Sequence, residues 1–334
     1  MTAATTVRKE DMLFLAWAPP SHSGRSQLLS KKMGIELLSV HYLRMRSRLA
    51  PIRYALQAVK TLVELIRRRP KVIWVQDPPI ISAMFAWLYC VPTRAQLIID
   101  SHTDALLARW WQWSMPLHRY LSRRALCTIV TNDHLQKLVE SWGATAFVLA
   151  DVPTEFQYRD YPLDSAFNIA MVSSYSYDEP LRHVFAVARR LPEVQFHITG
   201  DLKLAQAAEL REAPVNVHLT GFLPFEDYYG LLAASDAVLV LTTEDHTLQW
   251  GACEGVSLGK PVIISDWPFL RSYFHKGTVY VDNTEEGIYQ GVLQMQSDLG
   301  RLGREVLDLR VERQEEWDHK YGELMAMIQR ATSR

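Results

Sequence analysis

The sequence predicts an α/β chain of two doubly wound, Rossmann-like domains facing a cleft, and three observations lead there. The chain has 334 residues, more than one hydrophobic core usually supports. Its apolar runs are short, rich in Val, Ile and Leu, lack strict alternation and are spaced by segments of helical period, as in a parallel sheet covered on both faces. The pattern pauses at the polar, proline-bearing stretch Asp151–Ser165 and then starts again.

Strands are expected in the first half at Leu13–Trp17, Ile35–Val40, Val72–Val75, Leu97–Asp100, Thr128–Thr131 and Thr145–Leu149. Helices fall between them at Ile52–Arg69, Ile80–Leu88, Leu117–Leu126 and Leu135–Ser141. Second-half strands are expected at Phe167–Val172, Val194–Thr199, Val217–Thr220, Ala237–Leu241, Pro261–Ser265 and Thr278–Val281. Helices intervene at Leu181–Arg190, Phe225–Ala234, Leu248–Leu258 and Glu286–Ser297, and a separate charged amphipathic helix runs from Leu299 to the end. The domains are drawn at residues 1–155 and 165–305, with the terminal helix, about 310–334, packing back on the first.

Composition narrows the function. Hydrophobic residues make up 48% and charged residues 22%, an ordinary globular balance. Three scattered cysteines, Cys90, Cys127 and Cys253, form no metal-binding or disulfide framework and fit a reducing cytoplasm. The polar start MTAATTVRKEDM lacks the apolar core of a signal peptide. The apolar stretch Ile80–Val91 is shorter than the roughly 20 residues that span a bilayer. A soluble or peripherally bound protein is expected. Residues 1–150 hold 20 basic and 9 acidic residues, a balance of +11, and the remainder holds 16 and 28, a balance of −12. Halves so different in charge face different partners. Absence of a Walker loop, GxGxxG or GxSxG counts against kinases, simple dinucleotide dehydrogenases and α/β-hydrolases.

Three ordered segments of the second half carry the chemistry: FHITGD (Phe196–Asp201), NVHLTGFLPFEDYYGLLAASDAVLVL (Asn216–Leu241) and ACEGVSLGKPVIISD (Ala252–Asp266). Together they resemble the donor domain of group 1 glycosyltransferases of the GT-B fold. That resemblance implies a nucleotide-diphosphate sugar, UDP- or GDP-linked, bound as substrate with no further cofactor and no metal. It makes Glu254 the partner of the ribose hydroxyls, a task suited to an acceptor-only carboxylate. Free N–H groups after the loop Thr243–Thr247, around His246, Thr247, Leu248 and Gln249, would meet the diphosphate, helped by the helix dipole. Gly200 and Gly221 end strands, so that the backbone of Phe222 and Leu223 reaches the base, and Ser174 bonds the diphosphate.

The sequence departs from the retaining members of that family. Where many carry a Glu eight positions before the ribose Glu, this chain has His246. Where a basic residue follows the first strand of the donor domain, it has Asp178 and Glu179 within SSYSYDEPLRH. The Ser-Ser-x-Ser turn and WVQDPP (Trp74–Pro79) are more similar to the inverting mannosyltransferases that extend dolichol-linked chitobiose. An inverting transfer needs a base on the acceptor hydroxyl. IIDSHTDA (Ile98–Ala105) offers Asp104 and His102 at a strand end for it; in a retaining reaction His102 would position the transferred sugar. Arg25, in the loop Pro19–Ser26, is a candidate contact for the anion or the acceptor.

Basic residues concentrate at Arg44, Arg46, Arg48, Arg53, Lys60, Arg67, Arg68, Arg69 and Lys71, and Trp110, Trp111 and Trp113 follow. Cations beside Trp and Leu suit a surface resting on anionic lipid, and equally a solvated helix beside an acceptor pocket. No nucleic-acid recognition motif is present. The expected function is a glycosyltransferase, inverting rather than retaining, extending a lipid-linked or cell-surface glycan in polysaccharide biosynthesis. It would work in the cytoplasm, peripherally on the inner face of the plasma membrane. A nucleotide-sugar 2-epimerase and a non-catalytic scaffold of the same fold are the alternatives.

Overall fold

A computed structural model describes residues 8–19, 24–42, 49–151, 153–206 and 210–333. Arg44, Arg46 and Arg48, and positions 20–23 of the loop before Arg25, lie outside the described residues. The chain divides into two compact units, Met1–Asp151 with Trp317–Arg334, and Val152–Glu316.

The first unit contains β1 (Met12–Ala16), α1 (Gly24–Met33), β2 (Glu36–Ser39), α2 (Ala50–Arg68), β3 (Val72–Asp77), α3 (Ile80–Thr93) and β4 (Gln96–Ser101). It continues with α4 (Thr103–Leu107), a 3-10 turn at Arg109–Ser114, α5 (Met115–Ser122), β5 (Cys127–Val130), α6 (Asp133–Glu140) and β6 (Ala146–Val148). All six strands are parallel, in the order β2-β1-β3-β4-β5-β6. β1 and β3 are buried along their whole length, which explains why their sequences run apolar without alternation.

The second unit contains β7 (Phe167–Met171), α7 (Leu181–Arg190), β8 (Val194–Thr199), β9 (Val217–Gly221), α8 (Phe225–Ala234) and β10 (Ala237–Val240). Then follow α9 (Trp250–Ser257), β11 (Val262–Ser265), α10 (Pro268–Tyr273), β12 (Thr278–Val281) and α11 (Glu285–Thr332), whose residues from Trp317 onward belong to the first unit. This sheet is also wholly parallel, ordered β12-β11-β10-β7-β8-β9. Its core joins Ile169 and Met171 of β7 to Phe185 of α7 and to Ile288 and Val292 of α11.

Two expectations need correction. The helix expected at Leu248–Leu258 begins at Trp250, because Gln249 is still extended (φ −81°, ψ 109°). The two helices expected after Glu286 are one 48-residue helix, α11. Leu302, Val306 and Leu309 continue its buried stripe through the supposed break, and Arg301 pairs there with Asp298 and Glu305 at 2.6 Å each. The polar stretch expected as a linker begins at the boundary between the units, has no helix or strand among its described residues and packs onto α8: Phe156 stacks on Tyr229 at 3.9 Å, and a Cβ at Gly230 would stand 2.2 Å from the Arg159 carbonyl.

α2 is turned opposite to the usual rule. Its buried face carries Arg53, Gln57, Thr61 and Glu64 besides Ala58 and Leu65. Gln57 Nε2 donates to the Val40 carbonyl at 2.8 Å, and Thr61 Oγ1 accepts from Trp17 Nε1 at 2.8 Å. Named hydrogen bonds therefore fix this rotation.

His197 of β8 is buried, its Nε2 2.9 Å from Asn168 Oδ1 and its ring stacked on His218 at 4.8 Å. Burial, then the neighbouring His218, lowers its pKa from 6.5 to about 4. The unfolded chain takes up this proton near pH 6.5, so the contribution to stability is full above that pH and is lost as pH falls toward 4. At about 1.36 kcal/mol per pH unit the loss approaches 3 kcal/mol. Urea unfolding at pH 7, 5.5 and 4 is expected to show it, and His197→Gln to flatten it; an unchanged pH slope in the variant would contradict the assignment.

Candidate functional site

In the second unit, chain direction reverses between β7 and β10, neighbours in the sheet that lead to opposite edges. Open α/β sheets bind ligands outside the carboxyl ends of strands at such a switch point. The turn after β7, the loop after β10 and the start of α9 meet there.

The β7 turn is built around Glu179. Its carboxylate accepts from the Ser173 hydroxyl and, at 2.8 Å each, from the Ser174 N–H and hydroxyl. Burial raises the Glu179 pKa above the usual carboxylate value, and those hydrogen bonds oppose the rise. Ser174, the expected diphosphate contact, is exposed, but its hydroxyl is engaged by Glu179. Gly200, at φ +125°, passes so close that a Cβ would stand 2.4 Å from the Ser173 carbonyl.

The β10 loop is tied to the same end of the sheet. The Thr242 hydroxyl donates to Asp178 at 2.5 Å, and the Thr243 N–H donates to the Asp178 carbonyl at 2.8 Å. Asn283 Nδ2 and Trp267 Nε1 donate to the Thr242 carbonyl at 2.9 and 3.0 Å. Four strand ends are thus joined through one residue. Thr242, Asn283 and Trp267 escaped the sequence reading, since none belongs to a recognisable motif.

Glu254 is 3% exposed, one turn into α9. Its Oε2 accepts from the Tyr228 hydroxyl at 2.5 Å, and its Oε1 from Tyr229 at 3.2 Å and Trp250 Nε1 at 2.7 Å. Burial, and then the Glu254 charge, push both tyrosines well above their ordinary pKa, so they stay hydroxyl donors. A buried carboxylate is costly unless hydrogen-bonded, and this cage supplies the bonds. The sequence reading missed it, although the pair Tyr228–Tyr229 stands inside the second quoted segment.

The other expected donor residues line the same strand ends. Leu248 is buried, so only its backbone is available to a ligand. His246 sits at φ +61° with its N–H on Asp245 Oδ1 at 2.6 Å, while Thr247 and Gln249 are half-buried. Gly221, at φ +72°, ends β9 and leads into the 61%-exposed Phe222 and half-buried Leu223.

In the first unit, His102 occupies the N-cap position of α4, and its N–H donates to the Asp77 carbonyl at 2.9 Å. Its Nε2 is buried and has no hydrogen-bond partner among the described residues. Asp104 is exposed in the first turn of the same helix. Behind them, buried His118 lies 2.8 Å from Asp77 Oδ2 and 3.1 Å from the Ser122 hydroxyl. This network was also missed, its members being up to 45 positions apart.

Arg25 requires a correction as an anion or acceptor contact. It is buried, with Nη2 at 3.2 Å from Asp100 and 2.9 Å from the Leu149 carbonyl, and it also pairs with Asp151. Its fork ties β4 to the end of β6, and its charge is neutralised within the unit. Of the expected lipid-facing residues, Arg67 and Arg68 bond Glu64 at 2.5 and 2.9 Å, and Arg69 is the C-cap of α2. Trp110 and Trp113 are exposed and Trp111 is half-buried. Among the described residues no group of three or more His, Cys, Asp or Glu is arranged to hold a metal ion, and no helix is long and apolar enough to cross a membrane.

Residues 169–298 match the family described as glycosyl transferases group 1. No curated protein matches the chain. Among solved structures, HepE of Anabaena in complex with UDP and glucose is 13% identical, with a TM-score of 0.70 over 95% of this chain and 99% of its own. Sucrose-phosphate synthase of Thermosynechococcus elongatus is 11% identical, with a TM-score of 0.72 over 94% and 99%. A putative UDP-N-acetylglucosamine 2-epimerase of Listeria monocytogenes is 12% identical, with a TM-score of 0.60 over 89% and 90%. Residues 169–298 thus resemble a group 1 glycosyltransferase domain, and the two parallel sheets have the GT-B fold.

α9 approaches β7 closely because Gly251 has no side chain: a Cβ there would stand 2.6 Å from Val172 Cβ. Gly251→Ala is therefore expected to push α9 away and destabilise the second unit by about 1–3 kcal/mol in urea unfolding. A cost below about 0.5 kcal/mol would contradict the tight packing.

Proposed function

We propose that the chain transfers a hexose from a UDP- or GDP-sugar to a lipid-linked or cell-surface glycan acceptor, in polysaccharide biosynthesis. The observation that carries this reading is the position of Glu254, buried at the head of α9 beside a topological switch point within the family-matched stretch. HepE, of the same fold, has been crystallised with UDP and with UDP-glucose.

In this reading the ribose hydroxyls donate to Glu254, taking the place of a tyrosine hydroxyl. The diphosphate lies against the Ser173–Ser174 turn and the N–H groups of residues 246–251, with the base against Phe222 and Leu223. Charge developing on the leaving diphosphate is stabilised by those N–H groups without a metal ion. Asp104 or His102 takes the acceptor hydroxyl proton as the acceptor oxygen bonds the anomeric carbon and the carbon–phosphate-oxygen bond breaks, an inverting displacement. Asp104 is exposed, and the Nε2 of His102 is buried with no hydrogen-bond partner among the described residues. The enzyme works in the cytoplasm, held peripherally against the inner face of the plasma membrane. The similarity in fold to the Listeria epimerase supports a second reading, a nucleotide-sugar epimerase, distinguished by turnover without any acceptor.

Calorimetry with UDP, GDP and their sugars tests the donor site. One nucleotide is expected to bind, and Glu254→Gln to weaken it at least tenfold, about 1.4 kcal/mol. Failure of every nucleotide to bind, or full affinity in the variant, would sink the assignment.

A further inference from the structure

The outward face of α2 carries Ile52, Leu56, Val59, Val63 and Ile66, each between 48 and 63% exposed. Leu49 precedes them at 50%. Their spacing of three and four residues lays them on one stripe, about 21 Å long at 1.5 Å per residue. The stripe continues onto the end of α3, where Leu88 and Val91 are also exposed. Between the two helices, at the edge of this face, lies a cavity of about 930 Å³ lined by Leu62, Ile66, Leu88 and Pro92, with Arg69 and Arg94 beside them.

A soluble helix turns such a stripe inward. Here the polar residues Gln57, Thr61 and Glu64 are turned inward, held by the hydrogen bonds that fix the rotation. The apolar face is thus presented outward by a built arrangement. Contiguous exposed apolar surface of this extent marks an interaction site.

Charge identifies the partner. Among the described residues around the stripe stand Lys60, Arg67, Arg68, Arg69, Lys71 and Arg94, paired in part with the carboxylates Glu64, Glu36 and Asp11. Glu64 is the only acid in α2, and burial among Lys60, Arg67 and Arg68 keeps it off the outer face; α3 carries no charge at all. A second copy docked on this face would bring two cationic borders together, since a two-fold interface matches a surface with itself. An anionic bilayer complements both the apolar stripe and its cationic border.

We propose that α2 and the end of α3 lie flat in the headgroup region of an anionic phospholipid bilayer, the stripe buried among the acyl chains and the cations on the lipid phosphates. This deepens the peripheral-membrane part of the function proposed above. It moves the contact from the tryptophans and the Arg67–Arg69 cluster alone to an apolar helix face.

Flotation of the full-length chain with vesicles tests it. The chain is expected to float with vesicles of 30% phosphatidylglycerol in phosphatidylcholine, at least tenfold less with phosphatidylcholine alone, and less as salt rises. Val59→Asp with Ile66→Asp is expected to reduce binding at least tenfold with the melting temperature unchanged. Val59→Asn with Val63→Asn serves if the acidic pair does not fold. No flotation of the parent chain, or flotation of the folded variants equal to it, overturns the proposal. So does a lipid-free dimer seen by light scattering that the same variants dissociate, which would assign the face to a second copy. Nucleotide calorimetry on the same samples separates the two readings: flotation without nucleotide binding sinks the transferase and leaves the membrane face standing.

Discussion

A carboxylate removed from water is the constraint around which the second unit is organised. Glu254 is nine-tenths and more buried, and an ion so placed is tolerated only with its oxygens hydrogen-bonded. Two helices supply the donors, Tyr228 and Tyr229 from α8 and Trp250 from α9. The arrangement sets where α8 must end up relative to α9. Phe156, stacked on Tyr229, carries the same constraint into the stretch leading to β7. Tyr228 is half-buried as a residue, and displacement of its hydroxyl by another would exchange like for like.

Around that charge the strand ends are fastened by neutral groups. Thr242 receives bonds from Asn283 and Trp267 and gives one to Asp178, while Glu179 gathers Ser173 and Ser174. The family relatives expected to hold phosphate with a basic side chain after the first strand differ here. Asp178 and Glu179 are occupied in shaping the loops. The first unit solves a comparable problem with an internal ion cluster: Arg25 between Asp100 and Asp151.

Much of the fold was legible in the sequence. β8, β12, α7 and α8 fall at the bounds expected, because their apolar runs are long and flanked by turn residues. The helix after Glu285 was divided at Asp298, whereas the buried Leu302, Val306 and Leu309 and the Arg301 ion pairs carry it through. Glu254 was found through its motif. Its three donors were not, since two lie about 25 positions away and nothing local marks a tyrosine as a carboxylate partner. The basic character of α2 was equally plain, but its orientation was not: which face turns inward depends on Trp17 and Val40, which are remote in sequence. Arg25 illustrates the converse, a charge read as an anion or acceptor contact that pairs inside the unit.

The central claim is that Glu254 is the ribose partner of a nucleotide sugar, held ready by a cage that a ligand can open. A crystal structure of the chain with UDP tests it most directly. The account predicts ribose hydroxyls within hydrogen-bonding distance of both Glu254 oxygens, and the Tyr228 hydroxyl displaced from Oε2. UDP bound elsewhere, with the Tyr228, Tyr229 and Trp250 bonds to Glu254 intact, would contradict it.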